Sequence, residues 1–279
     1  NEQSDMIETR STVLSDFPAR LKTKWGQYDP YNRQCPVISG LRAPTGCAIT
    51  AGAQALSFFQ TIDTVSWSHS QYGQSGSSAL NWPQIISDCE DWGWAVANER
   101  WWFVDAYYGE DIYGYGRIGN GRATTNQVAH LMRYLGVNIN ATYSSTTTNA
   151  FAQNLLNFLK YSCGLTSSST TLMSFNVGNV FNSFNDPNTL ILTVAYTSTS
   201  LGHGWIIDGG QVIVSSPTSG SAEVFLHCNY GWDSYCDGYY LGAAFDCTYG
   251  PIYTNPNIEL GGGRDIELLY DIKYAILQP

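Results

Sequence analysis

Apolar and polar positions divide this chain into two halves of different period. The stretch "PTGCAITAGAQALSFF", Pro44 to Phe59, carries Ile49, Ala53, Leu56 and Phe59 where they share or border one helix stripe. Its many small residues keep that helix thin, so other elements can approach it closely. "TTNQVAHLMRYLGV" places Val128, Leu131, Met132 and Leu135 on one helix face, with Thr124 or Thr125 to cap its start and Gly136 to end it. "NAFAQNLLNFLKYSCGL" repeats the pattern with Phe151, Leu155, Leu156 and Leu159. After about residue 165 the period changes. "NTLILTVAYT", "GHGWIIDGG", "QVIVSS", "EVFLHCNYGW" and "DGYYLG" are rich in β-branched and aromatic residues and are separated by turn signals. "ELLYDIKYAILQP" closes the chain as one or two further strands. Helices first and strands second predict an α+β fold.

Two segments fall outside these patterns. Asp88 to Asn126 mixes Trp, Tyr, Gly and charges, and reads as a loop-rich excursion packed by its own aromatics or as one wall of a cleft. "LGGGRD" lacks a Walker lysine and a following helix, so it reads as a surface loop and not a phosphate loop.

Composition narrows the class. With 279 residues, 43% apolar and 13% charged, the chain can bury a large core and is not disordered. The formal net charge of −10 disfavours nucleic acid and anionic membrane surfaces as partners. No run of apolar residues is long enough for a transmembrane segment. The opening "NEQSDMIETR" is not a signal peptide and reads as the start of a mature or trimmed form. Abundant Tyr, Trp, Ser, Thr, Asn and Gly with scarce Lys suits an exported protein. The seven cysteines are odd in number, include no C-x-x-C pair and lack zinc-ligand spacing, so no metal site is expected.

The chemistry turns on Cys47. In the first turn of a helix a thiolate is favoured by the unpaired N–H groups and the helix dipole, an effect of about 1 kcal/mol that needs a cationic partner to matter. Four imidazoles are available. His69 lies in a polar loop, "SWSHSQYGQS", and His130 reads as a partly exposed helix residue. His203, between two glycines at the start of an apolar strand, has room for a substrate or another backbone beside it, though taken alone it reads first as a turn histidine. His227 alternates with Asn229 along one strand and is the weaker candidate. Asn229 can accept from one imidazole nitrogen and leave the other facing the thiol, and Trp232 can shield that bond from water.

The order Cys…His…Asn-x-x-Trp resembles the papain-like cysteine peptidases, and more closely the streptopain family of bacterial secreted peptidases. The resemblance runs through "KWGQYDPYNRQCP", "PTGCAITAGAQAL", "LNWPQI", "GHGWIIDGG" and "NYGWDSYCDGYYL", in order from about residue 25 to the C-terminus. It implies a papain-like two-lobed fold in a single catalytic domain. Roughly residues 1–165 form a mainly helical lobe carrying the nucleophile, and roughly 166–279 a curved antiparallel β-sheet lobe carrying His and Asn, with the cleft between. It implies Cys47 as nucleophile, His203 as base and then acid, Asn229 as its orienting group, and Gln27 with the Cys47 N–H as oxyanion donors. Trp232 and Tyr230 would cover the His203–Asn229 contact, and Gly46 and Gly202 would flank the two reactive groups. The family implies no cofactor, protein or peptide substrates, a removed N-terminal propeptide, a secreted or cell-surface location, and leaves open a protein inhibitor. An amidase or transferase acting on a non-protein amide, or an inactive aromatic-rich binding relative, are the competing readings. Tyr230 stands where Trp is expected, a departure that leaves the mechanism intact, and the stretches at residues 88–126 and 203–229 are longer than expected, which bears on the substrate profile.

Overall fold

The computed structural model describes residues 12–97, 123–199, 201–214, 221–254 and 263–279, with residues 90–97 and 123 described by their backbone alone. The N-terminal "NEQSDMIETR", most of the aromatic segment after Asp88 and the first part of "LGGGRD" lie outside the described residues.

In chain order the main elements are β1 (Thr12–Phe17), α1 (Cys47–Phe59), the hairpin β2 (Thr64–His69) and β3 (Gln74–Ala79), α2 (Trp82–Ala97), α3 (Ala123–Asn138), α4 (Ala152–Ser162) and α5 (Val177–Ser183). Five strands follow: β4 (Leu190–Tyr196), β5 (Gly202–Val214), β6 (Ala222–Asn229), β7 (Gly238–Leu241) and β8 (Tyr270–Gln278). These five form an antiparallel sheet in the order β7-β6-β5-β4-β8. The α+β prediction is met.

The sheet is organised by β5, thirteen residues long. Its first half pairs with β4, from Gly202 opposite Tyr196 to Ile207 opposite Ile191. Its second half pairs on the same edge with β1, from Gly210 opposite Phe17 to Val214 opposite Thr12. Gly209 marks the changeover. A Cβ there would lie 2.6 Å from the Phe17 carbonyl oxygen, so only glycine lets the incoming chain cross so closely.

Alternation along the strands sends side chains to two cores. Leu190, Leu192, Ile206, Ala275 and Leu277 face the helices and join Ile49, Leu56, Val128, Leu131, Leu135, Leu155 and Leu159. Ile191, Trp205, Ile207, Leu226 and Tyr274 face the other way, toward Val180, Phe181 and Phe184 at α5. Helix α1 is the centre of the first core. Every residue from Ala48 to Ser57 is buried, so it has no solvent face where the pattern predicts a single stripe. Among the described residues no helix is long and apolar enough to cross a membrane.

Several predicted boundaries move. The polar loop around His69 is the β2–β3 hairpin. The excursion predicted from Asp88 is helical up to Ala97. "GHGWIIDGG" and the start of "QVIVSS" form one strand. Helix α3 runs past Gly136 to Asn138, and a Cβ at Gly136 would lie 1.9 Å from the Tyr143 hydroxyl, so that glycine serves packing and not termination. Phe151 is 78% exposed at the N-cap of α4 instead of joining the core. His130 is buried and accepts a hydrogen bond from Trp67 Nε1 at 3.1 Å.

Candidate active site

The start of α1 is fixed from three sides. The Thr45 N–H donates to the Gln27 carbonyl at 2.8 Å, and the Thr148 hydroxyl to the Pro44 carbonyl at 2.6 Å. Gly46, the N-cap, turns the chain into the helix at φ 95°. A side chain at Gly46 is excluded twice, by that left-handed dihedral and by the Thr148 carbonyl oxygen 2.9 Å from where a Cβ would sit. Cys47 is therefore the first helical residue, half-buried, with no acidic residue in its turn.

Burial pushes the Cys47 thiol up, and the nearby main-chain N–H groups of Gly204, Ala48 and Cys47 itself only partly offset that shift. Two of these donors belong to the open end of α1, where an anion is favoured. The third comes from β5. A Cβ on Gly204 would meet Ala48 Cα at 3.7 Å and Ala48 N at 3.9 Å, so the strand's main chain lies against the helix's first turn. His203 is the residue immediately before this contact.

His203 is buried, and its Nε2 lies 2.9 Å from the main-chain oxygen of Tyr230. A carbonyl only accepts, so Nε2 carries the proton and the neutral ring keeps Nδ1 as its acceptor. Burial lowers the imidazole to about 3, the Tyr230 carbonyl opposes that shift, and the Arg264 charge adds to it. Trp232 packs on the ring at 4.4 Å between centroids, Tyr230 lies at 5.9 Å and Trp205 at 6.2 Å. Tyr230 and Trp232 stack on one another at 5.2 Å and 14°. Tyr230 is fully buried and Trp232 half-buried.

Asn229 makes no hydrogen bond to His203. Its Oδ1 accepts from Gln54 Nε2 at 2.8 Å and Gly231 N–H at 3.2 Å, and its Nδ2 donates to the Thr23 carbonyl at 2.9 Å. Gln54 in turn accepts from the Trp25 N–H at 3.2 Å. Asn229 thus clamps α1, the segment around Trp25 and the turn after β6, while the next residue's carbonyl meets the imidazole. Sequence reasoning missed that division, and it also missed Asp237. The Asp237 carboxylate accepts the Tyr230 N–H at 2.8 Å and lies 3.8 Å from Lys24 Nζ, fixing the Asn229–Tyr230 peptide, one unit before the carbonyl that meets His203. The signal available was the Asp-Gly-aromatic run of "DGYY".

Gln27 is half-buried beside the same helix end, and its carboxamide has no hydrogen-bond partner among the described residues. Gly202 is exposed at the mouth of β5, where a Cβ would lie 3.0 Å from the Tyr196 ring. The other imidazoles are committed elsewhere. His227 and Asp208 are wholly buried, with Nδ1 2.5 Å from Oδ1, and Asp208 also accepts from the N–H groups of Arg20 and Leu21. Burial alone would raise the Asp208 carboxyl, but the His227 charge and hydrogen bond, Lys24 and the Leu21 N–H hold it below its ordinary value. His69 packs on Tyr72 at 4.7 Å. Cys47 and the strand of His203 thus come together, Asn229 is one residue removed, and His227 belongs to a separate buried pair.

No curated protein matches the sequence significantly. The active wild-type interpain A cysteine protease of Prevotella intermedia superposes with a TM-score of 0.56 at 18% identity, over 95% of either chain. A mutant prointerpain A fragment from the same organism superposes with a TM-score of 0.54, also at 18% identity, over 94% of this chain and 72% of that one. The sequence profile of the Peptidase C10 family matches residues 25–240, a span that contains Gln27, Cys47, His203, Asn229 and Trp232. The chain belongs to the Peptidase C10 family, the streptopain family, and is a cysteine-type peptidase.

Proposed function

We propose that this protein is a secreted bacterial endopeptidase that hydrolyses peptide bonds through a Cys47–His203 pair and an acyl-enzyme. The observation that carries the reading is the main chain of β5 lying against the first turn of α1, where a Cβ on Gly204 would meet Ala48 Cα at 3.7 Å, with His203 the residue before Gly204 and Cys47 the residue before Ala48. The Cys47 thiolate attacks the scissile carbonyl, and the negative charge passes to its oxygen. The Cys47 N–H and the Gln27 carboxamide stabilise that oxyanion, each worth about 3–4 kcal/mol by analogy with other oxyanion holes. His203 Nδ1 takes the Cys47 thiol proton as the sulphur attacks and then passes that proton to the departing amine, while Nε2 keeps its own on the Tyr230 carbonyl. Nδ1 then takes one from the water that hydrolyses the thioester. Asn229 and Asp237 hold the Tyr230 carbonyl in place, and Trp232 keeps water from the imidazole.

In this reading residues 1–165 and 166–279 are the two lobes of one papain-like catalytic domain and the site lies in the cleft between them. Proteins or peptides are the substrates. The propeptide reading is supported by the prointerpain A fragment, of which this chain matches 72%. Secretion rests on the family resemblance and on the composition.

The test is stoichiometric labelling with an epoxysuccinyl peptide at near-neutral pH, with the modified residue mapped by mass spectrometry. One adduct on Cys47, lost in His203→Ala, together with turnover of a denatured protein, is the expected result. An adduct without turnover of any protein would point to a non-protein amide as substrate. No adduct would point to an inactive binding relative.

A further inference from the structure

Arg264 is an exposed residue whose guanidinium carbon lies 4.6 Å from the Trp232 ring centroid, and Trp232 is the ring packed on His203. Its backbone is tied down on both sides. The Arg264 N–H donates to the Cys247 carbonyl at 2.6 Å, the Cys247 N–H donates to the Ile266 carbonyl at 3.0 Å, and the Tyr235 hydroxyl donates to the Gly263 carbonyl at 2.5 Å. The ion pairs formed among the described residues leave Arg264 out. A guanidinium lying over an aromatic ring uses its face for the cation–π contact, and its N–H groups point outward in its own plane. Such a group is a ready bidentate partner for a carboxylate. In a chain of net charge −10 it is a local exception.

Its place matters because of which half of the substrate passes there. His203 protonates the leaving amine, so the residues after the scissile bond are released on the imidazole side, and Trp232 covers that side. Resting on the peptidase reading above, we propose that Arg264 sets specificity for an acidic group within the first two residues after the scissile bond. That group is an Asp or Glu side chain or the carboxylate of a short leaving fragment.

The test uses internally quenched peptides identical except for Asp, Asn or Lys at the first or second residue after the cleaved bond, with kcat/KM measured for the wild type, Arg264→Gln and Arg264→Glu. Each enzyme's Asp-to-Asn and Lys-to-Asn ratios serve as its own control, so a change in folded fraction cancels. Wild type is expected to favour Asp over Asn by about 3- to 5-fold and to disfavour Lys, with both effects shrinking at high salt. Arg264→Gln should flatten the ratios and Arg264→Glu should invert them. Equal ratios in wild type, or ratios unchanged by either substitution, overturn the proposal while leaving the peptidase reading intact. A wild type that cleaves none of the peptides overturns the peptidase reading, and this inference with it.

Discussion

The Nε2 atom of His203 is held by the main-chain oxygen of Tyr230, 2.9 Å away, and not by the side chain of Asn229. A backbone acceptor cannot be removed by substitution, so what surrounds it sets the imidazole's position. Asn229, Asp237 and the stacked Tyr230–Trp232 pair are those surroundings.

The first expectation concerns Asn229→Ala. It leaves the buried Gln54 amide and Thr23 carbonyl without their partner, which costs about 1–3 kcal/mol for each group left unsatisfied. Stability in urea should fall clearly, and kcat/KM should fall less than in His203→Ala. The opposite pattern, full stability with activity as low as His203→Ala, would mean that Asn229 acts directly on the imidazole during turnover.

Gly46→Ala should damage both folding and labelling. The left-handed φ costs a residue with a Cβ about 1–2 kcal/mol, and the Thr148 carbonyl oxygen obstructs the new methyl. Cys47, one residue on, is displaced from its place where the first turn of α1 meets β5. Chemical denaturation and the rate of the epoxysuccinyl reaction should both fall. Gly204→Ala is the control, since its Cβ meets nothing closer than 3.7 Å and its N–H is retained, so it should stay folded.

Acid should destabilise the fold partly through His203. Its folded-state value is about 3, below the ordinary imidazole value near 6.5. The unfolded chain therefore takes up the proton first, and the stability contributed by the neutral buried ring is complete above about 6.5 and is lost as pH falls from there toward 3. The slope is at most about 1.4 kcal/mol per pH unit for one proton. His203→Asn should flatten the stability-pH curve across that window in denaturant titrations. An unchanged curve would remove His203 as the group responsible.

The Asp208–His227 pair makes a different prediction. Asp208→Asn removes one charge of a wholly buried pair that also anchors the Arg20 and Leu21 N–H groups, and should cost about 3–5 kcal/mol of stability. Under conditions where the variant is folded, epoxysuccinyl labelling of Cys47 should proceed at the wild-type rate. Loss of labelling with stability intact would make His227 part of the reactive machinery.

Much of the fold was legible because its signals are local. The strand from Leu190 to Tyr196 and the long strand containing His203 announce themselves through β-branched and aromatic residues, and Leu155, Leu156 and Leu159 mark a helix face by spacing alone. The hairpin was not legible. "TVSWSH" alternates weakly with Val65 and Trp67 inward, but its partner "QSGSSA" has no apolar residue except its last, and only pairing gives it strand character. Helix Trp82–Ala97 carries Pro83 in its first turn and Asn81 accepting from the Gln84 N–H at 3.3 Å, a start signal outweighed by the aromatic run that follows.

By itself the sequence determined the α+β class, the helix that begins at Cys47, the glycine-flanked strand of His203 and membership of a peptidase family, because each depends on residue type and spacing within a short window. Only the tertiary structure decided which group meets which. Residues 203 and 230 are neighbours because the antiparallel pairing of β5 and β6 sets Ile206 opposite Asn229. The same pairing leaves His227 opposite Gly209, next to the buried Asp208 and away from the helix end. Register is a property of two strands at once, and no reading of either strand alone contains it.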